Sequence, residues 1–229
     1  MRLIFVRHGE PDYENDCLTE RGRAQAEAAA KRLLNEGITE IFSSPNGRAR
    51  ETASFTAQAL GLEVQILPYM HEISWSGRDG KLYSEDGHPW TISDKAIREG
   101  FVFDGDNWKQ HPYFKNNIAL PCYETVAEGI RGFMLEMGFR QEGRRFFCTA
   151  KEEETVALFS HGGSGACALS ALLSLPFPIL CSYFPYDFTS VTVLHFDVSE
   201  KSYVFPRVEL FGDDRHIRNT KEDRLFFGN

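Results

Sequence analysis

The chain has 229 residues, 42% of them hydrophobic and 25% charged, which suits one globular domain with a sizeable core. A net charge of −8 and no Lys/Arg run argue against general binding of nucleic acid or an anionic membrane, so positive charge for an anionic ligand must be local and aimed. Five widely spaced cysteines without a CxxC pair read as reduced thiols of a cytoplasmic protein, and neither a leader peptide nor a bilayer-spanning apolar run is visible.

Leu3-Ile4-Phe5-Val6 is a short apolar run ended by a polar turn, Arg7-His8-Gly9-Glu10, and predicts a buried strand. Thr19 and Glu20 open a helical stretch that stops at Gly37. A strand over Ile38–Phe42, a helix over Asn46–Leu60 stopped by Gly61, and a strand over Val64–Leu67 follow. This alternation implies a parallel sheet with crossover helices. It lapses over residues 73–121, which hold Gly, Pro and aromatics such as Trp75, Tyr83, Trp90, Trp108 and Phe114. They read as an insertion over the sheet's edge, more core than cofactor box, with some aromatics lining a substrate pocket. A helix resumes around Tyr123–Gln141. A strand over Thr155–Phe159 runs into Ser160-His161-Gly162-Gly163 and a helix to about Leu173. Val191–Phe196 and Tyr203–Val208 alternate apolar and polar residues, as an antiparallel pair at the sheet edge would.

Two histidines thus take equivalent places, His8 and His161 each just past a strand and before a glycine. Ligands of open α/β sheets bind outside the carboxyl ends of strands, so the two can converge. Arg7, and Arg48 at the start of the second helix, bring positive charge; Glu72 lies beyond the third strand at the same edge. Guanidinium forks and helix N-termini suit a phosphoryl group, a neutral imidazole can attack phosphorus, and a carboxylic acid of raised pKa can protonate the leaving oxygen.

Arg7-His8-Gly9-Glu10 resembles the RHGE signature of the histidine phosphatase superfamily, the phosphoglycerate mutase-like group. Leu18–Ala26 resembles its LTxxGxxQA helix start, and Ser43–Ala53 its SSPxxRAxxTA stretch. Glu72-Ile73-Ser74-Trp75 with Asp79-Gly80 resembles its acid loop, Ser160–Gly163 its second histidine turn, and Thr189–Leu194 its late strand. The motifs stand in family order across nearly the whole chain. The resemblance implies a three-layer α/β/α sandwich with a mostly parallel sheet, one domain over residues 1–229, and residues 73–121 as an inserted cap. It implies His8 as nucleophile, Arg7, Arg48, His161 and a backbone amide near Gly162 as phosphoryl ligands, and Glu72 as proton donor. No metal or other cofactor is implied, since arginines supply the charge stabilisation.

Departures leave alternatives open. Family members carry an Asn or Ser soon after RHGE; here Asn15 falls one place late and is a further phosphate-binding candidate. Ser76 and Arg78 replace a common Gly and Trp, and Arg78 either reaches the substrate or is solvated. Glu85, Asp86 and Asp104 are rival acids, while His71, His88, His111, His195 and His216 get a structural reading. The expected activity is hydrolysis of a small phosphorylated metabolite through a phosphohistidine. The rivals are mutase-type transfer, a protein phosphohistidine as substrate, and a non-catalytic phospholigand-binding protein. Mutases of the family usually carry a Glu-Arg-Arg-type cluster in the insertion, whereas residues 73–121 hold only Arg78 and Arg98 as arginines. A homodimer stays open, since Leu225-Phe226-Phe227 can dock on the chain itself or on a partner.

Overall fold

The computed structural model describes residues 1–80, 87–184 and 186–218; Tyr83, Glu85, Asp86 and Leu225-Phe226-Phe227 lie outside the described residues. Strand β1 (Arg2–Arg7) is buried from Leu3 to Val6, as a strand covered on both faces must be. A short hairpin, β2 (Pro11–Asp12) and β3 (Cys17–Leu18), leads into α1 (Glu20–Leu33), capped by the Thr19 hydroxyl, which accepts the Gly22 N–H at 3.0 Å. Next come β4 (Glu40–Ser43), α2 (Gly47–Leu60) and β5 (Val64–Ile66). Beyond them lie α3 (Pro89–Arg98), the short α4 (Pro112–Lys115) and α5 (Ala119–Glu136). A hairpin of β6 (Phe139–Glu142) and β7 (Arg145–Cys148) precedes β8 (Thr155–Ser160), α6 (Gly162–Leu173) and α7 (Phe177–Tyr183). The last strands are β9 (Val191–His195), β10 (Ser202–Val204) and β11 (Arg207–Asp213).

The main sheet has six strands in the order β11-β9-β1-β8-β4-β5, parallel from β1 to β5 and antiparallel on the β9 side. Alternation along β1 and β8 divides the core in two. Leu3, Phe5, Val156 and Leu158 face Ile130, Phe133 and Leu169 of α5 and α6. Ile4, Val6, Ala157 and Phe159 face Leu33 of α1 and Ala53 and Ala57 of α2. This is the α/β/α sandwich that the sequence implied.

Within residues 73–121, Trp108 and Phe114 are core residues, with ring centroids 5.5 Å apart and Trp108 also edge-on to Tyr123 at 4.9 Å. Trp75, three residues beyond Glu72, stays exposed.

Besides α1 ending at Leu33 rather than at Gly37, the structure departs from the predicted elements in two places. The helix expected to Gln141 ends at Glu136, because Gly138 turns left-handed (φ 84°) and starts the β6–β7 hairpin. The expected pair of Val191–Phe196 with Tyr203–Val208 is divided: β11 pairs with β9, while β10 pairs with β7 in a separate three-stranded sheet. Pro206, with no N–H to give a ladder, stands at the break.

Candidate active site

The register of the central strands sets the site. Arg7 pairs with Ser160 across β1 and β8, so His8 and His161 leave adjacent parallel strands at the same level. Their ring centroids are 5.1 Å apart, and both rings are buried. Ser43 of β4 lies level with Phe159, which brings the following loop and the first turn of α2 to the same rim.

The turn after β1 is fixed from three sides by residues of the recurring motifs. Glu10 N–H donates to Gln25 Oε1 at 2.8 Å, Thr19 N–H to Glu10 O at 3.0 Å, and Gly9 N–H to Thr52 Oγ1 at 3.1 Å. A Cβ on Gly9 would stand 2.5 Å from Gly22 O, so only a glycine lets the turn approach α1 this closely. The Thr19, Gly22 and Gln25 spacing thus serves the turn that carries His8 as well as the helix.

A side-chain hydrogen bond assigns the ring proton of His8. His8 Nδ1 lies 2.7 Å from Gly9 O, and a carbonyl only accepts, so Nδ1 carries the proton and Nε2 is left with a lone pair. Arg48 Nε–H points at that Nε2 from 3.4 Å. Burial lowers the pKa of His8 well below 6.5, and Arg7, His161 and Arg48 lower it further; a hydrogen bond to Gly9 opposes them. At His161, Nε2 lies 2.7 Å from Ser44 Oγ, whose other acceptor, Asn46 Oδ1, is farther at 3.3 Å. Nε2 and Ser44 Oγ share one hydrogen bond whose direction follows the tautomer, while Nδ1 is buried with no hydrogen-bond partner among the described residues. Burial first, then Arg48 and Arg7, keep this ring neutral too.

Arg7 donates through Nη1 to Tyr186 O at 2.6 Å, and its guanidinium lies 4.3 Å from the Phe188 ring centre, while its Nε–H has no partner among the described residues. Arg48 is 7% exposed and pairs with Asp16, whose other carboxylate oxygen accepts Gly47 N–H at 2.7 Å. Two guanidinium groups and the N-terminus of α6 therefore bring positive potential to His8 Nε2.

Glu72 reaches the same helix end. Its Oε1 accepts N–H groups of Ile73 at 2.9 Å and Ser164 at 3.1 Å, and Oε2 that of Gly163 at 3.4 Å. Burial raises its pKa above 4.5, and those N–H groups with Arg7 pull it back only in part. A Cβ on Gly163 would lie 2.3 Å from Ile73 Cγ1 and 2.5 Å from Glu72 Oε1, so this glycine makes room for the acid loop. At Gly162, a Cβ would meet Arg7 Cζ at an ordinary 3.6 Å.

The structure thus brings together Arg7, His8, Arg48, Glu72, His161 and Gly162. Asn15 is exposed, and its amide donates to Asp12 Oδ2 at 2.7 Å; the loop puts Asp16 on Arg48 instead. Arg78 and Asp104 are exposed, while His71 is an exposed neighbour with Nδ1 2.9 Å from Glu72 O. Sequence reasoning missed Ser44, Asn46 and Asp16 as partners of the site. The first two stand in the SSPxxRAxxTA stretch, directly after a strand end, which is a usable signal; Asp16 has no such mark.

Comparison with known proteins gives the same picture. The sequence pattern of the histidine phosphatase superfamily (branch 1) matches residues 3–102. A probable phosphoglycerate mutase, GpmB, of Yersinia pestis (strain Pestoides F) is 28% identical over 186 residues, 77% of this chain and 76% of that protein. A mutant phosphoserine phosphatase from Entamoeba histolytica, solved with phosphoserine, has a TM-score of 0.61 at 22% identity, covering 94% of this chain and 98% of that one. Mycobacterial glucosyl-3-phosphoglycerate phosphatase, solved with inorganic phosphate, gives 0.59 at 23% identity over 94% and 99%. The solved structures share the fold, and residues 3–102, which carry His8, Arg48 and Glu72, match the histidine phosphatase superfamily.

Proposed function

We propose that the chain is a phosphatase that hydrolyses a small phosphomonoester through a phosphohistidine on His8. The observation that carries this reading is the lone pair of a neutral, buried His8 Nε2, facing Arg48 Nε at 3.4 Å beside the His161 ring. In the first step, Nε2 attacks phosphorus, the bond to the leaving oxygen breaks, and that oxygen takes the proton of Glu72. Arg7, Arg48, His161 and the amide of Gly162 hold the three peripheral oxygens as charge develops. In the second step, the Glu72 carboxylate takes a proton from water as the water attacks; the P–N bond breaks and inorganic phosphate leaves. The arginines meet the charge requirement without a metal.

Residues 73–121 are the cap in this reading and select the leaving group, Trp75 being its exposed aromatic beside the acid loop. That relatives of the same fold are solved with phosphoserine, 3-phosphoglyceric acid and inorganic phosphate supports a small phosphorylated metabolite as substrate. Five unpaired cysteines accord with a reducing, cytoplasmic setting. A mutase reading is favoured by the name of the Yersinia relative. Against it, Arg78 and Arg98, the only arginines in the sequence of residues 73–121, are both exposed and well apart along the chain, so no Glu-Arg-Arg-type cluster stands there.

The test is incubation with para-nitrophenyl phosphate across mildly acidic pH, with and without chelator, and acid-labile labelling by a phosphate donor. Release that survives chelation is expected, and His8→Ala is expected to lose both turnover and label. Full activity of His8→Ala, or loss on chelation, overturns the mechanism.

A further inference from the structure

We infer that His216 is a positioning residue, which braces the nucleophile turn from behind through Thr189. Thr189 is fully buried, and its backbone is left-handed (φ 54°), a conformation that β-branched residues avoid. It occupies the third place of a turn closed by Ser190 N–H to Asp187 O at 3.0 Å, where Gly or Asn is the ordinary choice. A strained residue held in place by its surroundings points to a role beyond turning the chain.

The contacts on either side of Thr189 say what that role is. Its N–H is shared between Arg7 O at 3.1 Å and His8 O at 3.3 Å, the two carbonyls that flank the His8 α-carbon. Its Oγ1 lies 3.1 Å from His216 Nε2. The same segment touches the nucleophile turn elsewhere: Tyr186 O accepts from Arg7, and the Phe188 ring stands 5.6 Å from that of His8. His216 lies in the turn after β11, closed by Ile217 N–H to Asp214 O at 3.0 Å, and so ties the far edge of the sheet to this segment. Glycine at 189 would relieve the backbone but would lose the hydroxyl that His216 holds.

The inference rests on His8 acting as nucleophile, but its test does not depend on turnover alone. His216→Ala, His216→Gln, Thr189→Gly and the His216→Ala/Thr189→Gly double variant are compared with wild type for kcat and KM on para-nitrophenyl phosphate. Proton–nitrogen NMR reads the His8 ring resonances in parallel. His216→Ala and Thr189→Gly are each expected to lower kcat by about 10- to 100-fold with KM within about twofold, the size of a small misplacement of a reacting group. The double variant is expected to be no worse than either single one, and His216→Gln, which keeps a hydrogen bond to Oγ1, to recover most of the rate. In both impaired variants the single Nδ1–H form of His8 is expected to give way to a mixture of tautomers. Unchanged kcat in Thr189→Gly, additive losses, or His8 resonances identical to wild type overturn the proposal. If His216→Ala does not fold, Thr189→Gly and His216→Gln decide by the same readings. A wild type that hydrolyses no ester counts against the phosphatase reading; the NMR comparison still decides for or against the brace.

Discussion

In the proposed mechanism Glu72 faces two opposed demands, since it gives a proton in one step and takes one in the next. Burial raising its pKa serves the first, and the three N–H groups that hold its carboxylate serve the second. Glu72→Gln should therefore slow alkyl phosphates by roughly 10²–10⁴ and nitrophenyl phosphate far less, because general-acid help matters most when the leaving oxygen is basic. Steady-state rates on a series of esters of graded leaving-group pKa check this; equal slowing across the series would move the role elsewhere. In wild type, kcat/KM for an alkyl ester should fall on the acid side as His8 takes up a proton and on the alkaline side as Glu72 loses one. The alkaline limb should fade with a good leaving group. At this scale the sequence made legible which residues gather at the ends of the central strands, His8 and His161 directly after them and Arg48 in the helix turn that follows. It was silent about Asp16 and Thr189, whose importance comes from neighbours far away in the chain. It misplaced weight on Asn15, since a one-residue shift in an exposed loop exchanges which side chain meets Arg48.

Helix α6 and the acid loop behave as one unit, and Gly163 is where they touch. Gly163→Ala should push Ile73 and Glu72 off the helix end, costing about 1–3 kcal/mol of stability and reducing activity mainly toward esters with poor leaving groups. Gly162→Ala is the control: its Cβ meets only ordinary contact, so its melting temperature should stay at the wild-type value or above. Thermal melts with the same ester series separate the two. The repeated strand–helix alternation made most of these elements readable, since Leu3–Val6 and Thr155–Phe159 are apolar runs bounded by turn residues. The edge was less readable. An alternating pattern reports a half-buried strand but not its partner, and Val204 and Val208, divided by Pro206, belong to different sheets.

For the whole molecule, the buried histidines bind stability to pH. Folded His8 and His161 stay neutral below 6.5, whereas the unfolded chain takes up protons there. The unfolded state then binds more protons, so stability is complete above 6.5 and lost as pH falls below it, by at most about 1.4 kcal/mol per pH unit for each ring. Glu72 runs the other way, costing stability as pH rises from 4.5 toward its raised value. Denaturant titrations between pH 5 and 7.5 should show a net decline toward acid, shallower in His8→Ala. If orthovanadate or phosphate occupies the proposed site of the folded chain, it should lift the whole curve according to its concentration.

The position of β8 between β1 and β4 has a consequence for how competence arises during synthesis. The two earliest strands of the parallel set exchange no ladder bonds with each other, and the gap between them is filled only when residues 155–160 arrive. A nascent polypeptide that already displays the RHGE turn thus still lacks His161 and the strand joining β1 to β4 until a late segment threads into its centre. Regained turnover after dilution from denaturant would time that single insertion event.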